Sequence, residues 1–283
     1  IAVFQYESNG MRTLLKDLAF TGRLNFENLV AASALYRPGP MESGMLETYV
    51  NVTKGFEAPT YPHPKLVPVL EKTKGVFIFQ ENVMMAAQVL AGFTMAEADA
   101  LRSAMGKKDA SKMAKMRDLW VDGCVRESGM EEESAADLFD KIEKFAGYGF
   151  NRSHSVEYSV ISSWTMFLKV RHPAEFFASC LSVMDSDRIP GLVADAAKRG
   201  LSIGPPDINT STDRYEIYTD PATGKDTLVA PLNAVANISD KGARAIMEAR
   251  ETAGGSFTDR DQFSLSVNRR IVNVRVVRHL DLV

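Results

Sequence analysis

The chain has 283 residues, 45% hydrophobic and 24% charged, with two cysteines and a formal net charge of −3 at pH 7. This is the composition of an ordinary globular protein, and it sets aside low-complexity chains, disulfide frameworks and membrane spans, the last of which need about 20 consecutive apolar residues. The modest net charge does not mark a nucleic-acid binder, but it hides an asymmetry: residues 102–117 carry six Lys or Arg, while 127–143 carry seven acids and one Lys.

Cys124 and Cys180 lie far apart with no CxxC spacing, as expected of reduced thiols, and His63, His154, His172 and His279 make no zinc-like pairing with them. No signal-peptide pattern is visible. The chain opens at Ile1 in what reads as mid-domain text, so a fragment of a longer protein is expected.

In chain order, IAVFQYESNGM reads as a buried strand leading into a turn at Asn9-Gly10, followed by helices over Met11–Leu18 and Asn25–Leu35. Pro38 and Pro40 stop the second of these and leave Arg37 on a stiff turn, where a solvated loop charge is the plain reading. Pro64–Lys74 reads as a short helix. Gly75–Phe79 is the clearest strand, and Glu81–Ala91 is the next helix. Thr94 and Glu97 form a capping box for a helix ending near Gly106, with Lys107 and Lys108 beyond it.

Asp109 is expected to cap a helix with Met113, Met116, Trp120 and Cys124 on one face. The helix over 132–145 buries Leu138, Phe139, Ile142 and Phe145. The helix over 155–170 is expected to pack Val160 or Ile161, Trp164, Phe167 and Leu168. Two further helices cover 174–184 and 189–198. Residues 200–211, with two consecutive prolines, form the best boundary. Beyond it come a hairpin turning at Pro221–Gly224, a helix from Ser239 or Asp240 to Arg250, and an Arg-rich end with Arg269, Arg270, Arg275 and Arg278.

Between the helices ending at Phe145 and beginning near Ser155 lies FAGYGFNRSH. Gly147 and Gly149 allow a tight turn with backbone angles that other residues avoid. Asn151, Arg152, Ser153 and His154 fall at a helix start, where free N–H groups and the helix dipole favour an anion. The stretch therefore suits a phosphate-bearing ligand; the plain alternative is a glycine turn capped by Ser153. Walker A, GxGxxG, GxSxG and HExxH motifs are absent. Asp185-Ser-Asp187 and Asp259-Arg-Asp261 mimic the spacing of a two-metal pair, but they read as capping acids at helix starts.

The words ALYRPGPMESGM, YPHPKLVPVLEKTKGVFIFQENVM, QVLAGFTMAEADALRSAMGKK, KFAGYGFNRSHSVEYSVIS, LKVRHPAEF and GPPDIN, together with the opening IAVFQYESNGM, spread in order from residue 1 to about 209. With them the sequence closely resembles the alpha subunits of bacterial DNA polymerase III, the C-family replicative polymerases. The resemblance implies a mainly α fold: a multi-helix fingers domain with a few short strands over 1–208, then a small α+β helix-hairpin-helix-like region, incomplete, over 209–283. It implies a DNA-directed DNA polymerase whose catalytic aspartates and Mg2+ lie in a palm outside this chain, so no catalytic or metal-binding residue is expected here and the piece alone is expected to be inactive.

By the same resemblance Arg102, Lys107 and Lys108 match a basic helix end and Asn151, Arg152, Ser153 and His154 match the nucleotide-binding turn. Arg102 and Arg152 are expected on the phosphates of an incoming dNTP and Ser153 on a phosphate or sugar oxygen. His154 is expected against the sugar, helping to exclude a 2′-hydroxyl. Arg37, Gly147, Gly149 and Tyr158 flank this set, and Arg269, Arg270, Arg275 and Arg278 are expected on DNA. The implied partners are template–primer DNA, the remaining palm, thumb and PHP domains, and, through regions outside this chain, a sliding clamp and other replisome subunits. No membrane is implied; the setting is the cytoplasm of a bacterial or phage-infected cell.

Three departures stand out. Ser103 follows Arg102 where the family often has a second arginine, Arg152 replaces a usual lysine, and NISDKG lacks glycines of the DNA-binding hairpin. The alternative is a non-catalytic DNA-binding or partner-binding module derived from such a polymerase.

Overall fold

The computed structural model describes residues 1–22, 24–107, 110–146 and 148–280. Lys108, Asp109, Gly147 and Asp281 lie outside the described residues. The architecture is mainly helical with one small sheet. The chain divides into two compact units, Val3–Ser163 and Ile1–Ala2 with Trp164–Val283.

The first unit begins without the expected strand. Residues 1–8 are irregular, and Asn9-Gly10 open α1 (Asn9–Leu18) because the Ser8 hydroxyl caps it, accepting from the Met11 N–H. Asn25 likewise caps α2 (Phe26–Leu35), which is buried on nearly every side through Val30, Ala31, Ala32, Ala34 and Leu35. Pro38 does not simply end a helix; it occupies the first turn of α3 (Pro38–Glu42), where its missing N–H costs nothing. After α4 (Met45–Lys54) and a single 3-10 turn at Pro64–Leu66 comes α5 (Val67–Leu70).

The stretch expected as the clearest strand, 75–79, forms only an isolated bridge between Phe79 and Phe150. The reason is local. The buried Asn82 side chain accepts from the N–H groups of Ile78 (3.3 Å) and Phe79 (3.0 Å) and donates to the Val69 carbonyl (3.1 Å). A neighbouring strand would have to compete for those donors.

Four longer helices follow: α6 (Gln80–Ala91), α7 (Met95–Lys107), α8 (Ala110–Ser128) and α9 (Glu132–Ala146). The capping box at α7 forms as read: Thr94 N–H donates to Glu97 Oε2 (2.8 Å) and Glu97 N–H to Thr94 Oγ (3.3 Å). These helices share a core of Leu90, Leu101, Met113, Trp120, Cys124, Leu138, Phe139, Ile142 and Phe145. A second core joins Met11, Leu14, Leu18, Val30, Leu35, Tyr49, Ile78 and Phe79. Across the surface of α8 and α9, Arg117 Nε reaches Asp140 Oδ1 at 2.9 Å, tying the basic stretch to the acidic one.

α10 (Arg152–Arg171) overturns the expected packing. Ile161, Trp164, Phe167 and Leu168 are exposed, while Ser155, Ser159 and Ser162 are buried. Small hydroxylated side chains let the backbones approach closely. Ser155 accepts from Ser33 Oγ (3.0 Å), Ser159 shares a hydrogen bond with Tyr6 Oη (2.9 Å), and Ser162 donates to the Phe4 carbonyl (2.7 Å). The boundary between the two units falls within this helix.

The second unit holds the remainder of α10, then α11 (Pro173–Val183) and α12 (Ile189–Ala197). Lys169 is almost fully buried; its ammonium is satisfied by Asp195 (2.6 Å) and the Ile1 carbonyl, as a buried charge requires. β1 (Ser202–Gly204) pairs in parallel with β3 (Asp226–Val229), and β2 (Glu216–Thr219) pairs antiparallel with β3 in the expected hairpin. The stretch 200–211 thus contributes a strand as well as a bend, and Asn209 pins it to Phe257 through two hydrogen bonds.

The last three helices are α13 (Asp240–Thr252), α14 (Arg260–Ser266) and α15 (Val274–Leu280), around Leu232, Ile246, Phe257, Phe263 and Val272. Asp259 caps α14 by accepting from Gln262 N–H (2.8 Å), which is the capping role read for it.

Candidate functional site

The turn before α10 is assembled within the first unit. Phe150 pairs with the chain before α6: its N–H donates to the Ile78 carbonyl (3.3 Å), and its own carbonyl accepts from Gln80 N–H (2.9 Å). Gly149 does not adopt a positive φ, so unusual backbone angles are not its contribution. A methyl group there would meet Gln80 Cγ at 3.3 Å; what the site needs from Gly149 is space. Gly147 lies outside the described residues. Gly39 matters for the same reason, since a Cβ on it would stand 2.1 Å from the Tyr148 ring.

A small cavity is lined by Gln80, Val83, Arg102, Met105, Gly106, Phe145 and Gly149. The C-terminal part of α7 and the turn after α9 therefore lie against each other. Arg102 sits on this cavity with its guanidinium bonded to Asp99 one turn earlier (2.8 Å). Lys107, the last described residue of α7, is exposed. Lys108 lies outside the described residues.

Arg37 is not the solvated loop charge expected. Its Nε donates to the Ala34 carbonyl (2.7 Å), its Nη2 donates to the Tyr148 carbonyl (2.8 Å), and the guanidinium lies 4.5 Å from the Phe150 ring centre. Partial burial lowers its pKa. Arg37 thus clamps α2 to the turn.

At the start of α10 the cap is Asn151, not Ser153. Asn151 Oδ1 accepts from His154 N–H at 2.9 Å, whereas Ser153 is exposed within the first helical turn. His154 is also exposed. Its ring lies 5.4 Å from Phe150 and 4.2 Å from Tyr158, and Tyr158 stacks on Phe4 at 5.2 Å. The imidazole therefore belongs to a short aromatic row at the surface.

Arg152 is held at two points. Its backbone N–H donates to both carboxylate oxygens of Glu81, each at 3.0 Å. Its Nη2 donates to both oxygens of Glu27, at 2.8 and 2.9 Å. Lys72 Nζ stands 3.9 Å from the same Glu27 carboxylate. Sequence reasoning missed both glutamates. Glu27 sits in the first turn of α2 and Glu81 in the first turn of α6, where an acid is expected to complement its own helix dipole. Nothing local marks either as reaching α10.

In the second unit Arg269, Arg270, Arg275 and Arg278 are all exposed. Arg275 and Arg278 are one turn apart on α15, and Arg269 Nε donates to the Ser264 carbonyl (3.0 Å). Before α13, Asn237 takes a left-handed φ of 66°. Asparagine tolerates this region, so the tight bend that a glycine would provide is present without one. Ser239 caps the helix that follows.

Residues 1–128 match the family described as the bacterial DNA polymerase III alpha subunit finger domain, and residues 200–282 match a helix-hairpin-helix motif. Among relatives named DNA polymerase III subunit alpha, the one from Yersinia pestis is 40% identical over 95% of this chain and 27% of its own length. That from Aquifex aeolicus is 43% identical over 98% of this chain and 23% of its own length, and that from Escherichia coli K12 is 40% identical over 99% and 24%. The chain spans about a quarter of the length of the curated relatives it matches. Residues 1–128 thus match the finger domain of the bacterial DNA polymerase III alpha subunit and residues 200–282 a helix-hairpin-helix motif, in a chain that is about 40% identical to those alpha subunits along nearly all of its own length.

Proposed function

We propose that this chain is the part of a replicative DNA polymerase that binds the incoming dNTP and the template–primer, with the fingers over 1–208 and a DNA-binding region over 209–283. The observation that carries the reading is closeness: Arg102 and Gly106 at the end of α7 flank the same small gap, far smaller than a nucleotide, as Phe145 and Gly149, and the helix start bearing Arg152, Ser153 and His154 follows directly in the chain. Nucleotidyl transfer depends mainly on positioning and on charge stabilisation, and cations on the fingers side supply both for a triphosphate.

In this reading Arg102, Lys107, Lys108 and Arg152 face the phosphates. Asn151 and Ser153 shape and line the turn, and His154 with Tyr158 meets the sugar. Arg37 and Gly149 hold the turn in place, and Gly147 is proposed to let the chain approach the nucleotide. Arg269, Arg270, Arg275 and Arg278 contact the DNA backbone. Among the described residues no group of three or more His, Cys, Asp or Glu is arranged to hold a metal ion. On the polymerase reading, the Mg2+ is assigned to the palm, and the palm, thumb, PHP domain, sliding clamp and other replisome subunits are assigned as partners through other regions. No helix among the described residues is long and apolar enough to cross a membrane; the proposed setting is the bacterial cytoplasm.

The test is made in the full-length polymerase that carries this segment. Arg102→Ala and Arg152→Ala should each lower kcat/KM for the dNTP about tenfold or more, as loss of a transition-state charge contact does. Wild-type values for both variants would overturn the assignment. His154→Ala should weaken discrimination against ribonucleotides, and unchanged discrimination would remove the sugar role.

A further inference from the structure

Arg152 carries two carboxylates that the reading above does not use. Glu81, on α6, takes its backbone N–H with both oxygens, and Glu27, on α2, takes Nη2 with both oxygens. The contact with Glu27 runs through one nitrogen only. Nε and Nη1 of Arg152 have no other hydrogen-bond or ion-pair partner among the described residues. An arginine has five N–H donors; the Glu27 carboxylate straddles Nη2 alone, so the donors on Nε and Nη1 stay open to a second anion.

We propose that Glu27 is a positioning residue for the dNTP: it holds the Arg152 guanidinium by one nitrogen so that the Nε and Nη1 donors meet the triphosphate. Glu81 fixes the other end of the same residue by its main chain. The inference rests on the assignment of Arg152 to the phosphates.

The physical grounds are three. First, the contact is geometric as well as electrostatic. An unanchored arginine samples many rotamers and must be ordered on binding, so a guanidinium that is already held binds and orients an anion better. Second, the Glu27 side chain is 33% exposed and the Arg152 side chain 35%, so the pair is partly withdrawn from water while the guanidinium remains accessible. Third, Lys72 lies 3.9 Å from Glu27. Lys72 gives Glu27 a second cation, which offsets that carboxylate's repulsion of a phosphate at the free donors of Arg152; with Glu81 included, the two cations and two carboxylates balance. The ring of Phe79, with its centre 5.9 Å from the guanidinium carbon, adds an apolar wall on one side.

The experiment is a double-mutant cycle in the full-length polymerase, measuring steady-state primer extension against dATP and the thermal midpoint of each protein. Glu27→Gln keeps the size of the side chain and one acceptor oxygen, so the fold is retained. The expected result is a rise of several-fold in the dATP KM with a lowered kcat, about tenfold in kcat/KM together, and an unchanged thermal midpoint. Arg152→Ala should cost at least as much. Adding Glu27→Gln to Arg152→Ala should cost nothing further, because the residue that Glu27 positions is gone.

If the two losses multiply, or if Glu27→Gln matches the wild type, the inference fails while the assignment of Arg152 stands. If Arg152→Ala itself leaves KM and kcat unchanged, the underlying assignment fails, and the inference falls with it. Should Glu27→Gln lower the thermal midpoint, Glu27→Asp supplies the second variant. A shorter carboxylate that restores the midpoint but not kcat/KM supports positioning; one that restores both together shows a structural role and overturns it.

Discussion

α8 and the first three turns of α10 are both helices of the first unit, and they are held by different physics. α8 buries Met113, Trp120 and Cys124 among the apolar faces of α6, α7 and α9. The opening turns of α10 instead bury three serines against α2 and residues 4–6, through hydrogen bonds of 2.7 to 3.0 Å. In the first case area removed from water dominates. In the second, small side chains permit close approach and polar groups satisfy one another, an arrangement that is costly to disturb and specific in register. The helix that begins at the candidate site is the one held by directional contacts.

The largest effect that can test this contrast is at Trp120. Its ring is fully buried and its Nε1–H donates to the Ala135 carbonyl at 3.0 Å, so Trp120→Ala should cost about 4 kcal/mol in urea unfolding. Gly123→Ala should follow closely. A methyl there would stand 2.2 Å from the Ala91 carbonyl oxygen, and backbone must move to admit it, for a loss of about 3 kcal/mol.

On the other side of the comparison, Ser159→Leu places a larger apolar group on a residue with no exposure. By sequence pattern it looks favourable, yet it should destabilise by about 2 kcal/mol. Trp164→Ser removes a large apolar side chain from the same helix but at a 66% exposed position, and should stay within about 0.5 kcal/mol. Equal costs for these last two would mean that α10 is packed like α8 after all.

A smaller effect concerns acid. The hydrogen bond from Arg117 lowers the pKa of Asp140. The folded value lies below the unfolded one, so the pair's contribution to stability is present above the ordinary carboxylate range and is lost as pH falls through the lowered folded value. Asp140→Asn should flatten that part of a stability profile between about pH 5 and 2. The thiols give the least change of all: burial pushes Cys124 up to about 12, so iodoacetamide at pH 8 should label the less buried Cys180 first and leave Cys124 intact until the core opens.

Where apolar residues repeat at helical spacing and no polar group competes, the sequence is a sound guide; the buried faces of α8 and α9 and the Thr94–Glu97 box follow from pattern alone. The strand read over 75–79 was lost to a single buried amide, Asn82, which took the donors that pairing needs. The face of α10 was misread because periodicity weighs Trp164 and Phe167 above Ser155 and Ser159. Tyr6 and Ser33, which make the serine face the buried one, are more than a hundred residues away in the chain.

The site was legible in part. The turn, the cation at the helix start and the end of α7 could be named from local chemistry and resemblance. Glu27 and Glu81 could not, because each looks like an ordinary acid in the first turn of its own helix, and only tertiary structure brings them to Arg152.

The chain's two indoles differ in a way that is useful at the bench. Trp120 has no exposure and Trp164 is two-thirds open to solvent, and they stand in different compact units. Acrylamide should quench the red-emitting Trp164 and spare the blue-emitting Trp120. Melting of the four-helix core can thus be followed by emission wavelength in the unlabelled protein, separately from events around the other chromophore.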